Sequence, residues 1–91
     1  MKKVRLNGKA CISQEDLHEQ LKATLHLPDH YGKNLDALWD CLTGEIELPV
    51  QLIWEDFLVS KEYLGEYADT LQKLFKEAEM ELRGQFQFTI Q

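Results

Sequence analysis

Apolar residues recur along this chain with two different periods, and the places where one period yields to the other divide it into strands and helices. Val4 and Leu6 alternate with polar neighbours over residues 2 to 7, which predicts a short strand closed by a turn at Asn7-Gly8. From Ser13 the spacing lengthens. Leu17, Leu21 and Leu25 form the stripe of a helix predicted over 14–26, with Ser13-Gln14-Glu15-Asp16 resembling a capping box in which Asp replaces Glu, and with Pro28 just beyond its end. Leu35, Leu38 and Leu42 mark a second helix over 35–43, with Asn34 as its N-cap and Gly44 suited to the left-handed position past its last turn.

Val50-Gln51-Leu52-Ile53-Trp54 is nearly all apolar and reads as a buried central strand. Glu55 or Asp56 then starts a short third helix through Phe57, Leu58 and Leu64, ended near Gly65. A fourth helix is predicted from Ala68 to Leu82 with Leu71, Leu74, Phe75, Ala78 and Leu82 facing inward, and Gly84 closes it. Phe86, Phe88 and Ile90 alternate with polar residues in a last strand. Strands separated by helices imply right-handed crossovers. The expected fold is α/β: a single small domain over 1–91, with a three-stranded parallel sheet packed with about four helices.

The acids are placed more informatively than they are counted. Asp36 and Asp40 lie four apart on a face of the second helix away from the leucines, where they repel each other and add nothing to packing. Trp39 beside them is expected to be part-buried. The Pro28-Asp29-His30-Tyr31-Gly32 loop leads into the same helix, so loop, helix start and acidic row converge on one surface. Glu77 and Glu81 form a similar row on the fourth helix, and the two rows merge if those helices pack side by side; Glu79 is expected to point elsewhere. A solvated face is the plainer explanation of either row alone.

The formal charge of −6 over 91 residues excludes a nucleic-acid backbone or an anionic membrane as partner, because both would be repelled. No export segment or membrane span is expected: after Lys2 and Lys3, the residues Arg5, Asn7, Gly8 and Lys9 interrupt any apolar run. Cys11 and Cys41 belong to no CxxC pair and read as free thiols of a reduced, cytoplasmic chain, with a bridge between them the alternative. The carboxylates could divide acid and base work only if their surroundings pushed their pKa values apart, and two aspartates on one exposed face see similar surroundings. No phosphate-binding loop, nucleophile elbow or metalloprotease helix accompanies them, so neither an enzyme nor a cofactor is expected. His26 and His30 are four apart, but Pro28 breaks the helical spacing that would set both on one metal ion.

The run Tyr31-Gly32-Lys33-Asn34-Leu35-Asp36-Ala37-Leu38-Trp39-Asp40-Cys41-Leu42-Thr43-Gly44 resembles the signature of the barstar family, intracellular bacterial inhibitors of secreted ribonucleases of the barnase type. The likeness extends over nearly the whole chain, through Asn7-Gly8, Asp16-Leu17-His18, Leu27-Pro28, Trp54 and Phe75-Lys76-Glu77-Ala78. It implies an inhibitor, monomeric when free, that plugs a basic nuclease site with its second helix and the preceding loop. By similarity Asp40 is the central anchor, standing where a substrate phosphate would sit. Asp36 pairs with a basic residue at the rim. Asn34, Trp39, Thr43 and Gly44 supply hydrogen bonds and shape, with His30, Tyr31 and Glu45 beside them, and Glu77 adds a charge pair supported by Glu81. The chain departs from the family pattern at two of these positions. His30 stands where the best-known member has a tyrosine, and Glu45 where it has a tryptophan. A charged His30 would be repelled by a basic cleft, and Glu45 makes the loop more acidic. Two readings follow from the resemblance: an inhibitor of a basic ribonuclease, or a barstar-like module for another, non-ribonuclease partner.

Overall fold

The computed structural model describes all residues 1–91. Its elements run β1 (Lys2–Asn7), α1 (Gln14–Leu25), α2 (Leu35–Gly44), β2 (Val50–Glu55), α3 (Phe57–Leu64), α4 (Glu66–Glu81) and β3 (Phe86–Ile90), with a 3-10 turn at Gly8–Ala10. The sheet order is β1-β2-β3 and both pairings are parallel, with Val4 beside Leu52 and Leu52 beside Phe88. The architecture is the expected one.

Because successive strand residues face opposite sides, the register sorts the sheet into two surfaces. Val4, Leu6, Val50, Leu52, Trp54, Phe86 and Phe88 share one surface and join the core with Leu17, Leu21 and Leu25 of α1, Leu38 and Leu42 of α2, and Leu71, Phe75 and Ala78 of α4. The other surface is wet. Arg5, Gln51, Glu55 and Thr89 lie there around a single buried Ile53, and Arg5 Nη1 meets Glu55 Oε2 at 3.1 Å. The apolar run of β2 is therefore buried on one face by helices and on the other by its own neighbours. A two-sided helical cover, the usual companion of parallel strands, is not what that run encodes.

At the carboxyl ends of the strands the chain closes on itself. A Cβ added at Gly8 would come within 2.1 Å of the Glu55 carbonyl oxygen and 2.5 Å of that of Asp56, so only a glycine fits. The Gly8 carbonyl accepts from Ser60 Oγ at 2.8 Å, and Ser60 Oγ accepts from Trp54 Nε1 at 2.9 Å, all three groups lying in the interior. Trp54 sits edge-on to Phe57 at 4.8 Å, and Phe75 stacks on Phe88 at 4.9 Å.

Several boundaries differ from expectation for local reasons. Gly44 is the last residue of α2, without a left-handed turn; Glu45 and Ile46 both donate to the Cys41 carbonyl, at 2.9 and 3.1 Å, and the chain leaves from there. Gly65, at φ 60, ends α3 and also starts α4, so α4 begins at Glu66 ahead of Ala68. Ser13 Oγ accepts from Asp16 N at 3.0 Å, but the shorter Asp16 makes no return bond, leaving half a capping box. Glu79 points away from the Glu77–Glu81 row, as expected: its Oε2 accepts from Phe88 N at 2.9 Å and covers an amide on the free edge of β3. Cys11 and Cys41 are free and buried, and burial pushes the Cys11 thiol up to about 11.

Candidate functional site

The loop before α2 is held at both ends by its own bonds. Tyr31 N donates to the Pro28 carbonyl at 2.9 Å, closing a turn that leaves His30 exposed. Lys33 takes a left-handed φ of 54 and pairs with Glu19 of α1, so the one cation of this loop faces away from α2 and is neutralised. Asn34 caps α2: its Oδ1 accepts from Ala37 N at 2.8 Å, while its Nδ2 donates to the Gly32 carbonyl at 3.3 Å.

Burial of Leu38, Cys41 and Leu42 fixes the rotation of α2, which turns Asp36 and Asp40 to solvent with Trp39 half-buried between them. Thr43 Oγ1 donates to the Trp39 carbonyl at 2.8 Å and steadies the last turn. Gly44 presents bare backbone, with open space where a Cβ would stand. The chain's ion pairs are Arg5–Glu55, Lys22–Asp29, Lys33–Glu19 and Lys61–Asp69. Asp36, Asp40, Glu45, Glu47, Glu77 and Glu81 belong to none of them. Their field is felt inside: the Cys41 thiol is raised by burial first, then by Glu45 and Asp40.

Helices α2 and α4 do lie side by side. Leu35, Asp36, Trp39, Thr70, Lys73, Leu74 and Glu77 line a groove of about 340 Å³ between them. Asp36 and Glu77 thus share one slot with Trp39, and the half-buried Leu35 and Leu74 also line it. Asp40 and Glu81 stand exposed outside that slot. Glu45 borders a different concavity of about 440 Å³, shared with Lys2, His26, Ile46 and Glu47 below the amino ends of the strands.

Tyr31 differs from the surface role expected of it. It is 5 % exposed and its hydroxyl is bonded to His18 Nδ1, so it anchors the loop from within. The periodicity places His18 beside the Leu17–Leu21 stripe but gives no sign that it meets Tyr31 and Tyr67, a contact made by residues 13 and 49 positions away. Burial lowers the His18 pKa below its ordinary 6.5, with Lys33 adding to the effect. Lys73 is the other residue that sequence reasoning missed; its place in the α2–α4 groove depends on how the two helices pack.

A family model described as Barstar (barnase inhibitor) matches residues 1–91. The chain belongs to the barstar family. Members of the barstar family are inhibitors, not enzymes. The protein named "Putative ribonuclease inhibitor YrdF" of Bacillus subtilis (strain 168) is 44 % identical to this barstar-family chain over 91 residues, covering 100 % of each. No helix of the chain is long and apolar enough to cross a membrane.

Proposed function

We propose that this barstar-family protein binds one to one to a basic ribonuclease of the barnase type and occludes its active site with α2 and the preceding loop, protecting the cytoplasm of the cell that makes it. The observation that carries the reading is the set of unpaired acids. Asp36 and Asp40 are exposed on one helix, Glu77 faces Asp36 across the α2–α4 groove, and no cation of the chain pairs with any of them. Fixed negative charges on a rigid helix reproduce the charge of a phosphate row while offering no bond to cleave. A cleft built to hold phosphates is the natural complement, and opposite charge speeds encounter in a salt-dependent way.

In this reading Asp40, exposed outside the α2–α4 slot, enters the phosphate site among the nuclease's cationic side chains. Asp36 and Glu77 receive a cation against the Trp39 indole, where charge and ring quadrupole both favour it. Asn34, Thr43 and Gly44 shape the approach, His30 and Glu45 edge the contact, Glu81 extends the field, and Tyr31 holds the loop. The free protein is a monomer, and no cofactor takes part. The test is a titration of purified barnase-type ribonuclease with this protein, following RNA cleavage. Activity is expected to fall linearly to zero at one equivalent and to return as salt is raised. Undiminished cleavage at excess inhibitor, together with recovery from cell extract only of partners lacking a basic groove, would instead support a module for a non-ribonuclease partner.

A further inference from the structure

The inhibitor reading leaves one buried polar assembly unused. His18 of α1 is 1 % exposed. Its Nδ1 meets the Tyr31 hydroxyl at 2.5 Å and its Nε2 meets the Tyr67 hydroxyl at 2.7 Å, with ring centroids 5.7 and 6.0 Å apart. One imidazole therefore joins α1, the loop before α2 and the first turn of α4. The hydroxyl surroundings assign the tautomer. Tyr31 is buried and its hydroxyl has no hydrogen-bond partner other than Nδ1, so its proton must point at Nδ1, which is then an acceptor. Nε2 carries the hydrogen and donates to Tyr67, whose half-buried hydroxyl can turn its own proton outward.

A proton added at Nδ1 would place N–H against O–H and strand the Tyr31 hydroxyl proton without an acceptor. Around this assembly one cation opposes the added charge, one carboxylate paired with that cation offsets it in part, and the remaining groups are neutral. Lys33 of the loop is the nearby cation and is paired with Glu19 of α1, while Tyr67 comes from α4 and Cys41 of α2 borders Tyr31. Burial is the leading cause that holds His18 below its ordinary value, in the same direction as the tautomer argument.

We propose that His18 is a positioning residue for partner binding: as its neutral Nε2–H tautomer it clasps Tyr31 and Tyr67 together, setting the loop and the α2 acids against the α4 acids, and its protonation releases the loop. A rigid helix carries the placement of Tyr67 on to Thr70, Lys73 and Glu77 at the groove. The inference rests on the ribonuclease-inhibitor reading for its functional consequence, but the clasp itself can be tested without any partner.

The binding test measures affinity for a barnase-type ribonuclease from about pH 8 to about pH 5.5 in a His30→Gln background, which removes the exposed histidine of the same loop. His18 is compared with His18→Gln, which keeps one donor and one acceptor but does not titrate. The His18 form is expected to lose more affinity across that interval than the His18→Gln form, by at most about tenfold, the ceiling set by one proton linked over the pH unit below the ordinary histidine value. At the upper pH, Tyr67→Phe, which removes only a half-buried hydroxyl, is expected to weaken binding by roughly threefold to tenfold with the fold retained. Independently, amide resonances of residues 30–34 in the free protein are expected to shift with the same midpoint as the His18 ring. Parallel pH profiles for the two forms, or silent loop amides while His18 titrates, overturn the proposal. If neither form binds a ribonuclease, the inhibitor reading fails, and the amide titration alone decides the clasp.

Discussion

Replacing Asp40 by Asn should separate binding from folding in opposite directions. Asp40 is exposed, makes no ion pair or hydrogen bond within the chain, and lies four residues after Asp36 on the same helix. Like charges at that spacing destabilise a helix by about 0.2–0.5 kcal/mol. α2 also has no basic residue in its last turn, where the helix dipole favours one, and Glu45 follows directly. Removing the charge while keeping the shape should therefore stabilise the free protein by about 0.5 kcal/mol, or roughly 2–4 °C in Tm for a chain of this size. In the complex, losing one member of a desolvated charge pair costs about 2–5 kcal/mol or more, and the barstar family's reference complex is itself a source of such values, with coupling energies of about 1.5–7 kcal/mol for close charge pairs. A cost of about 2–5 kcal/mol is roughly thirtyfold to several thousandfold in Kd. Urea denaturation gives the first quantity, and stopped-flow association with dissociation in a barnase-type ribonuclease gives the second. Glu62→Gln serves as control, since Glu62 is exposed on α3 away from both grooves and should leave Kd within about twofold. A loss of more than about 1 kcal/mol of folding stability in Asp40→Asn would show the carboxylate to be structural, and unchanged Kd would remove it from the interface.

Other substitutions probe the frame. Ser60→Ala orphans the buried Trp54 Nε1–H, whereas the Gly8 carbonyl keeps Cys11 N at 3.3 Å; a cost of about 1–3 kcal/mol is expected in chemical denaturation. Gly8→Ala drives a Cβ into two backbone carbonyls and should cost about 3 kcal/mol or more, read as a collapse of Tm. Glu79→Ala uncovers Phe88 N and should lower stability by about 1–2 kcal/mol, with Glu79→Gln recovering most of it. His18 is held below its ordinary 6.5, so the unfolded chain takes up the proton first on acidification. Its stabilising contribution is complete above 6.5 and is lost as pH falls from there through the native value, a slope that His18→Gln should flatten.

Periodicity carried the order of elements and the parallel sheet, because Leu17-Leu21-Leu25 and Phe86-Phe88 each commit a face that only one layer can bury. Short-range chemistry was equally readable: Ser13 and Asn34 bond the amides three residues on, as capping requires. What could not be read was long-range. The free edge of β3 that recruits Glu79, the Gly8 approach to Glu55 and Asp56, and the Tyr31–His18–Tyr67 contact all depend on which segments meet in space. The acidic rows were visible as spacing, but their meeting at Asp36 and Glu77, with Lys73 among them, follows from the way α2 and α4 pack. Gly44 shows the limit of a residue preference: a glycine that suits a left-handed cap is also free to finish a helix, and Glu45 and Ile46 already satisfy the Cys41 carbonyl without it.

Open parallel sheets ordinarily admit small molecules at the tips of their strands, in the crevice beyond the last residues. Here that spot is shut by the chain's own main chain, with Gly8 wedged on Glu55 and Asp56 and the Ser60 hydroxyl bridging inward. With its customary harbour silted up, this scaffold has no interior left in which to enclose a guest. Recognition is left to the outer relief of α2, α4 and the loop before them, so its selectivity has to come from the shape and breadth of another macromolecule's surface.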